Sequence, residues 1–209
     1  MKNVLFVAAA GLAVTASAEV LYDADFSQAV GIDHDTIGNA LEASGQFGAN
    51  FVLSYPSPPA SDTTRNFFET TGTSLISSDF GGDHRFESFD IDVSLVNEVD
   101  IDFVAGFVGM DSFNNSPTEF IEFFYTLDGG SDQPWFSFTD DPNGPNLNAS
   151  LAGLDVSGAS TLTVGINANA NGGGDGWELF SATVEGEVIP APASVAVLGL
   201  AGFAATRRR

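Results

Sequence analysis

Between residues 19 and 188 the chain alternates apolar and polar positions with the period of a β-strand. Phe89, Ile91 and Val93 fall on one side of Asp90 and Asp92, and Val99, Ile101 and Phe103 repeat the pattern against Asp100 and Asp102. Ile121, Phe123, Tyr125 and Leu127 share one face of residues 119–127. Asp128, Gly129 and Gly130 then form a turn sequence that accommodates positive φ, with a further strand over 135–138. Other strands are predicted over 19–26, 49–55 and 66–69, around Leu162, Val164 and Ile166, and over 176–188, with Pro56, Pro58 and Pro59 stopping the second. The region sustains no helical period. About eight to ten short strands joined by Gly, Asn and Asp turns predict an all-β fold of two antiparallel sheets packed face to face.

One short sequence occurs twice. Asp92-Val93-Ser94 precedes the strand beginning at Val99, and Asp155-Val156-Ser157 stands at the same offset before the strand beginning at Leu162. Both read as strand, tight turn, strand units on corresponding parts of a sandwich. Residues 124–130 (FYTLDGG) and 176–186 (GWELFSATVEG) resemble a hairpin and a closing strand of the jelly-roll domains common in secreted bacterial proteins. The resemblance implies a jelly-roll-like sandwich and no particular ligand.

The two ends break the alternation. Residues 1–18 have the form of a secretory signal peptide: Lys2, an apolar run over 4–14, and the small residues Ala16, Ser17 and Ala18 before a cleavage point at Glu19. Residues 189–209 contain Pro190, Ala191 and Pro192, a Gly/Ala-rich apolar run and Arg207, Arg208 and Arg209. The prolines predict an extended, accessible entry, the apolar run a short helix, and the arginines a cytoplasmic stop. At fewer than about 20 residues, the run suits a transient anchor. This order of parts resembles the PEP-CTERM sorting tail, with Ala191 where that family carries Glu. The resemblance implies delivery by the Sec translocon and signal peptidase, recognition by an exosortase, and a place in the envelope or an exopolysaccharide matrix. The domain between the two signals is residues 19–188.

Charge narrows the partners of that domain. It carries all 28 acidic residues against two arginines, Arg65 and Arg85, a formal charge of −26. Such a surface repels nucleic acid and attracts cations. There is no cysteine, so stability comes from burial and not from disulfides, and the 19 phenylalanines supply the apolar volume.

Three kinds of chemistry were weighed. For catalysis, His34 and His84 lack a nucleophile motif, and with so many carboxylates a glycosidase pair carries little information. For calcium, Asp23 and Asp25 at the end of the first strand and Asp175 and Glu178 at the start of the last are the candidate ligands, with Asp33/Asp35, Asp79/Asp83 and Asp140/Asp141/Asn143 as further acidic loops. For sugar stacking, Tyr55 and Trp135 stand nearest loops, whereas Tyr125 and Trp177 read as core. The reading favoured is an exported, non-enzymatic matrix or envelope protein. A calcium-dependent carbohydrate-binding module is the alternative, and a glycan-cleaving jelly-roll enzyme comes third.

Overall fold

Thirteen strands build the protein among the residues that its computed structural model describes, which are 18–27, 31–34, 50–57, 67–78, 81–108, 120–138, 147–171 and 176–189. In chain order they are β1 (Ala18–Asp23), β2 (Gly31–His34), β3 (Phe51–Ser57), β4 (Phe67–Thr70), β5 (Leu75–Ser78), β6 (Gly81–Ser88) and β7 (Ile91–Asp92). They continue as β8 (Val96–Val108), β9 (Phe120–Leu127), β10 (Gln133–Phe138), β11 (Ala149–Asp155), β12 (Thr161–Asn171) and β13 (Gly176–Val188). A seven-stranded sheet has the order β11-β8-β13-β5-β4-β2, with β1 beside the C-terminal half of β13. A six-stranded sheet has the order β10-β9-β12-β6-β3, with β7 beside the start of β12. Every pairing is antiparallel. From β10 onward the chain changes sheet at each connection, giving the jelly-roll-like sandwich that the alternation predicts.

The core is the sum of the inward positions. Val99, Ile101 and Phe103 of β8 are buried while Asp100 and Asp102 are exposed. Ile121 and Phe123 of β9 and Leu162, Val164, Ile166 and Ala168 of β12 meet them from the other sheet, with Phe103 edge-on to Phe123 at 5.2 Å between centroids. Towards the other end of the sandwich, Trp177 of β13 stacks on His84 of β6 at 6.1 Å and 11°, and Phe68 of β4 closes edge-on against both. His84 is therefore part of the core. It sits mid-strand with 1% exposure, and the Trp177 Nε1–H donates to its Nε2 at 3.0 Å. A buried imidazole needs such a partner.

Two departures from the alternation have local causes. Phe89 does not share the buried side of Ile91 and Val93, because the chain leaves the sheet after Ser88, which leaves Phe89 38% exposed while Ile91 and Val93 return to the core. β11 was missed because its alternation is broken by a bulge between Leu151 and Leu154, with Gly153 at φ 66°.

The repeated Asp-Val-Ser sequence marks the two corners where the chain passes between sheets, from β7 to β8 and from β11 to β12. Asp92 Oδ1 accepts the Ser94 amide at 3.0 Å and Asp155 Oδ1 the Ser157 amide at 2.9 Å; the Ser94 and Ser157 hydroxyls, joined by these amides, hold both carboxyls below the usual carboxylate range. Val93 and Val156 plug the core. The corners also clasp each other, for the Val93 amide donates to the Ser160 carbonyl and the Val156 amide to the Asn97 carbonyl. In each case the acceptor stands four residues after the other corner's valine. The echo in the sequence is thus a local two-fold relation.

Tyr22 of β1 is 7% exposed, and its hydroxyl has no hydrogen-bond partner among the described residues. Burial, with the Asp23 charge behind it, pushes the phenol well above its ordinary range. Tyr22→Phe removes an unsatisfied group and is expected to leave stability unchanged or raise it by up to about 1 kcal/mol. Urea unfolding checks this; a loss of more than that would reveal a partner for the hydroxyl.

Candidate functional site

Among the described residues, the outward side of the six-stranded sheet gathers a connected polar network. Along β12, Leu162, Val164, Ile166 and Ala168 face the core, leaving Thr163, Gly165, Asn167 and Asn169 on the outer side. Register places Asn167 between Glu122 of β9 and Arg85 of β6, and Asn169 between Phe120 and Asp83. Gly165 is flanked by Phe124, and the missing Cβ lets that ring lie down over β12 until it is fully buried on the outer face. The Arg85 guanidinium covers the ring, 3.9 Å from its centroid.

Arg85 is the hub. Its Nε donates to Glu87 Oε2 at 2.6 Å, its Nη1 and Nη2 reach Asp132 at 2.6 and 3.1 Å, and Nη1 also reaches Asn167 Oδ1 at 2.9 Å. Asn167 Nδ2 in turn donates to Asp132 at 3.1 Å, and Asn169 Nδ2 to Asp83 at 2.5 Å. A groove of about 490 Å³ opens beside this network, lined by Asp83, Arg85, Phe120, Glu122, Asp132 and Asn167. Phe120 is half-buried at its wall, and Glu122 makes no hydrogen bond or ion pair with another described residue. A second hollow of about 580 Å³ lies by the chain's entry and exit at Ala18 and Ile189, but no aromatic ring lines it.

The hydrogen bond from Arg85, joined by that from Asn167 and by the guanidinium charge, holds the Asp132 carboxyl below its ordinary range against the opposing effect of burial. A carboxyl depressed in the folded state stabilises above its unfolded value, and that contribution is lost as pH falls through the folded one. Arg85→Met is therefore expected to cost about 2 kcal/mol at neutral pH, discounted for the half-exposed carboxylates, and progressively less below about pH 4. Urea unfolding at pH 7 and pH 3 checks this, and an equal loss at both would assign the effect to packing on Phe124 alone.

The residues singled out in the sequence lie elsewhere. Trp135 is not an open platform: a bulge between Pro134 and Phe136 turns it onto the core, where its ring meets Phe103, Tyr125 and Phe123 at 5.9, 6.1 and 6.3 Å. The side chain of Tyr55 lies outside the described residues, although its backbone belongs to β3. Of the calcium candidates, the described residues Asp23, Asp25 and Glu178 are not grouped as a metal site. Asp23 pairs with Thr183, five residues along β13 from Glu178, or about 16 Å. Asp25 caps its own turn through Ser27, and Glu178 accepts from the Ser74 hydroxyl at 2.6 Å. Among the described residues no three His, Cys, Asp or Glu side chains come together as a metal site. Asp175, Arg65, Asp35, Asp79, Asp140, Asp141 and Asn143 lie outside the described residues, as do Ala16, Pro190, Ala191, Pro192 and Arg207 to Arg209. Ala18 is the first residue of β1.

The groove residues are not conspicuous in the sequence, where Trp and Tyr near loops are the stronger signal for sugar stacking. The available signal was Asn167 and Asn169 alternating with core residues, where an outward strand position otherwise favours Thr or Val.

No protein-family model matches the chain, and no curated protein matches it. Solved structures of similar shape include a xylan-binding module CBM15, at 11% identity over 77% of this chain and 99% of that one, with TM-score 0.45. The mannan-recognising carbohydrate-binding module TmCBM27 is matched at 8% identity over 83% and 100% of the two chains, with TM-score 0.42. The CBM22-1 xylan-binding domain from Paenibacillus barcinonensis is matched at 12% identity over 85% and 100%, with TM-score 0.35. At these scores the likeness is one of general shape and assigns no ligand.

Proposed function

We propose that the protein is a carbohydrate-binding module whose ligand lies along the outer face of the six-stranded sheet. The observation that carries this is the groove itself, where the Phe120 ring stands among planar amide, carboxylate and guanidinium groups held in fixed positions. A pyranose offers one apolar face and a rim of hydroxyls, and it is matched by an apolar wall beside convergent donors and acceptors. This favours the binding-module reading over that of a matrix component without a ligand. The leader over 1–18 and the tail over 189–209, as read from the sequence, supply its delivery to the envelope or matrix.

Asp132 is committed to Arg85, which holds its carboxyl below the ordinary range, so it does not supply the protonated acid that hydrolysis by a carboxylate pair needs. Affinity electrophoresis of the protein through gels containing xylan, galactomannan or mixed-linkage β-glucan tests the reading. At least one is expected to retard it, with Phe120→Ala weakening the retardation by roughly tenfold while the circular dichroism is kept. Among the described residues no three His, Cys, Asp or Glu side chains at the groove are grouped as metal ligands, so affinity in chelator is expected to equal that in calcium. The proposal fails if none of the three retards the protein, or if Phe120→Ala leaves the retardation intact.

A further inference from the structure

The groove's charge goes beyond the presence of a sugar site and assigns the class of sugar; this rests on the carbohydrate-binding reading above. Among the described residues, four carboxylates, Asp83, Glu87, Glu122 and Asp132, stand on this face against one guanidinium, Arg85. A cation on a binding face usually marks an acidic ligand, because a fixed guanidinium matches a carboxylate in two parallel bonds. Arg85 does not serve that purpose. Both its terminal nitrogens are already on Asp132, its Nε is on Glu87, and one face of its plane lies on Phe124. Four of its five N–H donors are spent inside the protein.

What the groove offers outward is of the opposite kind. Glu122, without a described partner, projects acceptor oxygens beside Phe120. Asn167 has its carbonyl oxygen on Arg85 and an amide hydrogen on Asp132, so it serves chiefly to hold that pair in place. The ligand groups that suit this lining are hydroxyls, which donate to Glu122 while their carbon skeleton covers Phe120. A uronate or sulfated residue would set its charge against the Glu122 carboxylate, which no described cation faces, and a like-charge contact of this kind costs far more than a hydroxyl contact gains. We infer that the groove binds a neutral polysaccharide and rejects acidic ones.

The test compares neutral galactomannan and mixed-linkage β-glucan with polygalacturonate and alginate as gel additives, at low salt and at 1 M salt, using the wild-type protein, Glu122→Gln and Glu122→Lys. Wild type is expected to be retarded by a neutral chain with an affinity that changes less than roughly twofold with salt, since no ion pair with the ligand is formed. The uronates are expected to bind at least roughly tenfold more weakly at low salt, with the gap narrowing as salt screens the repulsion. Glu122→Lys narrows the gap at low salt, and Glu122→Gln weakens the neutral chain without changing the melting temperature. Tighter binding of a uronate by wild type would overturn the inference while leaving the carbohydrate reading in place. A neutral chain bound equally by wild type and both Glu122 variants would also overturn it. Retention of no polysaccharide at all would remove the carbohydrate reading, and the inference with it.

Discussion

Gly165→Ala is expected to destabilise the domain by about 3 kcal/mol or more and to abolish binding along the outer face at the same time. An added Cβ would sit 2.5 and 2.6 Å from Cζ and Cε1 of the Phe124 ring, and in hard contact with the Phe86 carbonyl oxygen. Neither neighbour gives way cheaply. The oxygen belongs to β6, which is paired with β12 at this level, and the ring is pinned beneath Arg85. Lifting Phe124 lifts Arg85 away from Asp132 and Asn167, so the groove loses its frame before the sheet fails. Urea unfolding followed by circular dichroism, together with gel retardation, measures both effects. A cost below about 1 kcal/mol would show that the ring can move, and would weaken the claim that the groove is built in advance.

Trp177→Ala is expected to cost about 3–5 kcal/mol, the range for deleting a large buried aromatic. The indole is fully buried between Phe68 and His84, and its removal leaves His84 Nε2 without the donor that satisfies it. Trp177→Phe keeps part of the volume and loses the hydrogen bond, so the difference between the two variants separates packing from polar satisfaction. Calorimetric melting of both variants decides the matter. Equal midpoints would assign the whole loss to the hydrogen bond between the indole and His84 Nε2.

The chain announced its layers more clearly than its site. Alternation is decisive where one side of a strand is buried and the other is wet, so Ile101, Asp102 and Phe103 place themselves. It fails at irregular points, and there the expectation went astray: Trp135 turns inward at a bulge, and Phe89 is exposed where the chain leaves β6. His84 was illegible for another reason, because a buried polar side chain is recognisable only once its partner is known, and Trp177 lies 93 residues away. The groove combines both difficulties. Phe124 has the sequence position of an outward residue and the burial of a core one, and only the glycine on the neighbouring strand explains why.

The position of β13 has a mechanical consequence. It runs through the middle of its sheet, bonded to β8 along one edge and to β5 and β1 along the other, and the Ile189 amide continues the contact to the Leu95 carbonyl. A pull applied beyond Ile189 along the strand loads these ladders in shear, so many hydrogen bonds share the force and must fail together. A pull that draws Ala18 and Ile189 apart acts differently, because β1 and β13 are antiparallel and those residues lie at the same end. It opens the pair at Ala18 and Glu187 and then peels one contact at a time towards Asp23. A domain held by its C-terminal strand while a polysaccharide tugs at its far face therefore resists as a stiff body. The same domain held by both ends would unzip.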